Sequence, residues 1–282
     1  MNALKQIEFI EQNKINSLNS DVARLAFLNI ACDIRNGNMT SDMLYEKFDE
    51  VCLEDEDAQC IFEIERDLRL AQKDLEHEKK QFAKRVHDNK NRFLFLNSKY
   101  ENLKFDDLNK IDKKILDYAQ KYCDEFNSRF KPFGVHMILS GNRGIGKTCL
   151  AATICLTLIE RHGIRCSFVN LSHYLNEMQN FDKKDKSLNE ILDSDLVLID
   201  DYGMTRKSEF AVEQIYMLVD EIYRRNIPII VTTNSSKNYL LNDNSMFGAT
   251  TSRILDNSIF LEMEGCDIRK SRVYDPEKVF GA

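Results

Sequence analysis

Tryptophan is absent from the 282 residues, and proline and glycine are scarce at three and ten. So few turn-forming residues exclude a chain of many short strands joined by tight hairpins. A composition 43% apolar and 30% charged excludes a disordered one. Long hydrophobic runs are also missing, so nothing approaches the roughly 20 residues that a membrane-spanning helix needs. The opening segment MNALKQIEFIEQNKI mixes charged and apolar residues where a secretory leader would be uniformly apolar. A cytoplasmic protein is expected. The eight cysteines, Cys32, Cys52, Cys60, Cys123, Cys149, Cys155, Cys166 and Cys266, form no CxxC pair and have no histidine at metal-ligand spacing. Reduced structural thiols are the expectation. The formal net charge of −7 excludes a protein that coats nucleic acid by bulk positive charge, but leaves room for a local basic strip.

What is present divides the chain into three parts. Residues 1–95 read as an all-α domain. Ser20-Asp21 caps a helical pattern through Val22, Leu25, Leu28 and Ile30 that stops at Gly37, and Thr40-Ser41-Asp42 starts another. From Ile61 the apolar positions Ile61, Ile64, Leu68, Ala71, Leu75, Phe82 and Val86 mark one long helix with a narrow seam. Its charges fit either a solvated surface or a partner-facing seam with a basic second half for nucleic-acid backbone. Residues 96–133 read as a connector containing the helix KKILDYAQKYCDEF. Beyond them, apolar runs at Val135–Leu139, Cys166–Val169, Leu196–Ile199 and Ile227–Val231 alternate with helical segments, which predicts an α/β domain over 134–282 with a parallel sheet and crossover helices.

The first of these strands runs into Gly141-Asn142-Arg143-Gly144-Ile145-Gly146-Lys147-Thr148 and then into a long helical segment. This strand, GxxxxGK[ST] turn and helix is the order that a phosphate-binding loop requires. Glycines let backbone N–H groups curl toward phosphate oxygens, and the helix adds the positive end of its dipole. Lys147 would neutralise β- and γ-phosphate charge, and the Thr148 hydroxyl would ligate Mg²⁺, so ATP and Mg²⁺ are the expected ligands. A second strand, Leu196-Val197-Leu198-Ile199, ends in Asp200-Asp201. Asp200 is placed to hold Mg²⁺ through water and Asp201 to polarise an attacking water. The fourth run ends in Thr232-Thr233-Asn234, where Asn234 could orient that water.

With these three elements in line, the chain resembles the DnaC/DnaI/IstB group of AAA+ ATPases, and within it the helicase loaders. The resemblance runs from about Lys99 to Val273. It includes Phe105-Asp106-Asp107-Leu108, LVLIDDYG, the TTN ending at Asn234, Ser252-Arg253-Ile254-Leu255-Asp256 and Asp267-Ile268-Arg269-Lys270-Ser271-Arg272. It implies an AAA+ P-loop sheet with a reduced lid, self-association of AAA+ domains on single-stranded DNA, and a replicative helicase hexamer gripped by residues 1–95. It also implies phosphate contacts from Arg269 and Arg272.

Two positions depart from the family pattern. Asp201 stands where many relatives carry Glu. In the R-x-x-D-R box, Arg253 is followed by Asn257 at the place of the trans-acting arginine, a group worth about 10³-fold or more in related phosphoryl transfers. Arg253 could substitute from one turn earlier, or the protein could work chiefly as an ATP-dependent binder. A slow ATPase is expected. The readings carried forward are an ATP-dependent loader of a ring helicase, an IstB-like transposition regulator on duplex DNA, and an ATP-binding switch with no DNA role.

Overall fold

A computed structural model describes residues 55–95, 97–179, 181–203 and 208–268. The short helices expected before residue 55, and Arg269 and Arg272, lie outside the described residues. The chain divides into two compact units, 1–84 and 85–282. In the first unit the described part is the beginning of one long helix, α1 (Asp55–Leu94), which continues into the second. Along α1, Leu75, Phe82 and Val86 are partly shielded and Leu70 is exposed.

In the second unit, α2 (Lys113–Glu125) precedes β1 (His136–Gly141), α3 (Lys147–His162) and β2 (Cys166–Asn170). Then come α4 (Leu171–Met178), α5 (Phe181–Leu192), β3 (Leu196–Tyr202), α6 (Glu209–Arg224), β4 (Ile229–Thr233), α7 (Lys237–Leu241), α8 (Gly248–Leu255) and β5 (Ser258–Met263). The strands form one parallel sheet in the order β2-β3-β4-β1-β5, as the four apolar runs require of strands separated by helices. β5 adds a fifth strand beyond the four expected from the sequence. It is an edge strand, and only part of its sequence SIFLEM is buried, so its apolar run is the short Ile259-Phe260-Leu261.

Period-two alternation divides the core between the two faces of the sheet. Met137, Leu139, Leu196, Leu198, Ile230, Leu261 and Met263 pack on one side with α2 and α3. Ile138, Val197, Ile199, Ile229 and Val231 pack on the other with α4, α6 and α8. Each such side chain contributes on the order of 1.5–3 kcal/mol of burial, so a one-residue slip of β1 would exchange both sets of contacts at once. Helix starts are set by local chemistry: Asp112 caps α2, Asn170 caps α4, Ser208 caps α6 and Ser236 caps α7. At the other end of α3, the Asn89 amide donates to Gly163 O at 3.1 Å and Ile164 O at 3.0 Å, fixing the last turns of α1 to the C-terminus of that helix. No described helix is long and apolar enough to cross a membrane.

Candidate functional site

A parallel sheet presents the carboxyl ends of its strands along one edge, and the strand order places β4 between β1 and β3. The three polar strand endings found in the sequence are therefore neighbours in space. After β1 the chain turns through Gly141–Gly146 into α3. Gly141 has φ +144°, and a Cβ there would stand 2.2 Å from the Met263 carbonyl of β5. Gly144 has φ +78°, and a Cβ there would stand 1.8 Å from Asp267 Oδ1. Neither site has room for a side chain, which is why the loop can lie flat beneath β5 and the segment that follows it. That segment crosses the loop, where the Ile268 N–H donates to Gly144 O at 2.9 Å.

Lys147 is buried to 6% exposure at the first position of α3. Its Nζ donates to Gly141 O at 2.8 Å, Asn142 O at 2.7 Å and Asn234 Oδ1 at 2.8 Å. The last of these bonds joins the P-loop to the end of β4. The Thr148 hydroxyl donates to Asp200 Oδ1 at 2.8 Å, joining the same loop to β3. A third link closes the network: Thr232 Oγ1, on β4, donates to Asp200 Oδ1 at 2.7 Å and accepts the Asp201 N–H at 2.9 Å. Asp201 sits at φ +56°, a left-handed conformation that aspartate tolerates better than most residues, and its carboxylate is exposed while that of Asp200 is buried. The two acids therefore differ in setting although they are adjacent in sequence.

Burial pushes the Asp200 carboxyl above the ordinary carboxylate range. Hydrogen bonds from Thr232 and Thr148 pull it back, the Asp201 charge adds to the upward push, and the Lys99 ammonium opposes it. A carboxylate so desolvated gains from a nearby cation. The donor set suits Mg²⁺: a hydroxyl and a carboxylate already in contact, both hard oxygen ligands. Among the described residues there is no cluster of three or more His, Cys, Asp or Glu, so no all-protein cage competes with that reading. Mg²⁺ commonly takes one or two protein oxygens and completes its shell with water and phosphate.

The sequence reading missed Thr232. Its signal was a polar residue directly after the apolar run Ile229-Ile230-Val231 in a strand buried throughout, which is tolerated only when its hydroxyl is bonded. Asn142 and Arg143 are exposed on the loop, and Ile145 is buried.

Arg253 belongs to a different cluster. On α8, its Nε donates to Asp220 Oδ1 at 2.8 Å, its Nη2 to Tyr216 Oη at 2.9 Å and its Nη1 to Ala249 O at 3.1 Å, with the guanidinium 4.7 Å from the Tyr216 ring centre. Asn257 explains its own departure from the pattern. It sits at φ +49° between α8 and β5, its Nδ2 donates to Phe133 O at 2.6 Å and its carbonyl accepts the His136 N–H at 3.0 Å. Asparagine suits that left-handed turn, which an arginine would strain.

A family model described as IstB-like ATP binding protein matches residues 37–274. The replicative helicase loader DnaC of Buchnera aphidicola subsp. Schizaphis graminum is 30% identical over 135 residues, which is 46% of this chain and 52% of that protein. DnaC of Escherichia coli K12 is 29% identical over 126 residues, 43% of this chain and 49% of that protein. The chain thus spans about half the length of the curated relatives it matches. A crystal structure of the DnaC helicase loader superposes with TM-score 0.52 at 22% identity, over 59% of this chain and 99% of that one, a likeness of fold.

Proposed function

We propose that this chain, which belongs to the IstB-like ATP-binding protein family, is a slow ATPase that loads a hexameric replicative helicase onto single-stranded DNA. The observation that carries the nucleotide chemistry is the single network Asn234–Lys147 and Thr148–Asp200–Thr232, which joins β1, β4 and β3 at their carboxyl ends. The loader role is supported by the helicase-loader relatives, about half of whose length this chain spans.

In this reading the backbone of Gly141-Asn142-Arg143-Gly144-Ile145-Gly146 and the first turn of α3 cradle the phosphates, because N–H groups there have no acceptor within their own helix. Lys147 moves its charge from the loop carbonyls to the β- and γ-phosphates. Thr148 and Asp200 would hold Mg²⁺, which would supply charge to offset that developing on the phosphate. Asp201, exposed beside the buried Asp200, accepts the proton of a water whose oxygen bonds the γ-phosphorus as the bond to the β–γ bridging oxygen breaks, leaving ADP and inorganic phosphate. Asn234 positions that water. Arg253 acts on the nucleotide of an adjacent subunit, Arg269 and Arg272 contact phosphate, and residues 1–95 grip the helicase.

The test is to incubate the full chain with the replicative helicase of its own organism, with ATP, and to follow co-elution and helicase transfer onto a single-stranded circle. A stable complex and ATP-dependent transfer are expected. Absence of any complex, together with filaments on duplex DNA, would replace this reading with transposition regulation.

A further inference from the structure

Outside the phosphate site, the guanidinium of Arg253 donates to three acceptors at once. It lines an open cleft of about 670 Å³ with Asp220, Tyr223, Arg224, Ser252 and Asp256, between α6, α7 and α8. A guanidinium has five N–H donors in a planar fork. Asp220, Tyr216 and Ala249 each accept from a different nitrogen of that fork, while the side chains of Arg253 and Asp220 keep 27% and 25% exposure. Tyr216 and Asp220 are one turn apart on α6, so a single helix face supplies the aromatic platform, the hydroxyl and the carboxylate. Next to it Tyr223 Oη donates to Asp256 Oδ2 at 2.7 Å, a second tie between the same two helices that does not involve the arginine. The helices are therefore held together without the Arg253–Asp220 pair.

A paired guanidinium has little charge to give to anything else. To grip phosphate on a neighbouring molecule through two parallel bonds, Arg253 exchanges its single bond to Asp220 Oδ1 for bonds to phosphate oxygens.

We propose that Asp220, assisted by Tyr216, is a positioning residue that parks Arg253 and so restrains nucleotide turnover until a second copy of this chain brings its own bound nucleotide to the cleft. This rests on the assignment of Arg253 as a trans-acting group. Exposed or half-exposed ion pairs are weak, so the restraint is releasable: removing the Asp220 charge should raise turnover about threefold to tenfold.

The experiment separates failure of the assignment from failure of the restraint. Lys147→Ala, which keeps Arg253 but lacks the phosphate lysine, is mixed with Arg253→Ala, which keeps the complete nucleotide site. Turnover well above that of either variant alone is expected, and no gain would refute the trans assignment and the proposal with it. In the otherwise native full chain, Asp220→Asn keeps the shape and removes the charge. It should raise turnover, lower the protein concentration at half-maximal turnover, leave ATP affinity unchanged, and have no effect on top of Arg253→Ala. Equal or lower turnover would overturn the restraint. Should Asp220→Asn fail to fold, Tyr216→Phe decides, because it deletes only the hydroxyl acceptor: a smaller rise supports the proposal, and no rise or a fall refutes it.

Discussion

The carboxyl ends of β1, β3 and β4 and the face built by α6 and α8 carry the same kinds of residue to different ends. In the first region a lysine, two threonines, an asparagine and a buried aspartate bond to one another across three strands. In the second, an arginine, an aspartate and a tyrosine bond across two helices, and the residue at the place of the expected arginine serves a turn. One network converges on a place where phosphate charge can sit. The other satisfies itself inside the chain. Equal polarity thus does not mean equal function; what separates the two is place, since the first network lies where a glycine loop, a helix N-terminus and the carboxyl ends of three strands meet, and the second lies between two helices away from that loop.

The sharpest way to break that contrast is at Asp200. Asp200→Asn should lower Mg²⁺-dependent ATP turnover by roughly 10²- to 10³-fold, since it removes the buried carboxylate from the metal's oxygens. Steady-state phosphate release measures it, and a change below about threefold would show that the network is structural.

The next largest effect belongs to the opposite end of β1. Burial draws the His136 imidazole down to about 4 from its ordinary 6.5, against the pull of Asp256, and its Nδ1 accepts the Ile229 N–H at 3.1 Å. The unfolded chain therefore binds a proton that the folded chain refuses. This contribution to stability is complete above pH 6.5 and is lost as pH falls toward 4, about 3 kcal/mol in all. Melting temperatures across that range should fall less steeply in His136→Asn, which keeps an acceptor and does not titrate.

Lys147→Ala should weaken ATP binding by about 10- to 150-fold, the worth of a charge-assisted contact of roughly 1.5–3 kcal/mol, as read by equilibrium titration. The smallest effect sharpens the second region. Asn257→Arg should cost about 1–2 kcal/mol of stability, because it forces a bulky residue to φ +49° and gives up the bond to Phe133 O. It should not raise turnover. A rise would mean that position 257 faces a neighbour's nucleotide after all.

The two regions also differ in how much of them could be read from the sequence. The P-loop is eight contiguous residues whose backbone geometry is dictated by its own glycines. Asp200 and Asp201 close a strand recognisable by its apolar run. The parallel sheet, its crossover helices and the membership of the IstB-like family followed from the same signals. β5 did not, since this half-exposed edge strand carries an apolar run of only three residues, and Thr232 did not, since its partners come from another strand. The pairing of Arg253 with Asp220 lay beyond any local pattern, because the two residues stand 33 positions apart along the chain and meet only through the packing of two helices.

The most direct test of the central claim is calorimetric titration of the full chain with ATP, with and without Mg²⁺. The account predicts one site per chain, tightened by Mg²⁺, with the tightening lost in Asp200→Asn and the affinity itself reduced in Lys147→Ala. Binding that is indifferent to both substitutions would contradict it.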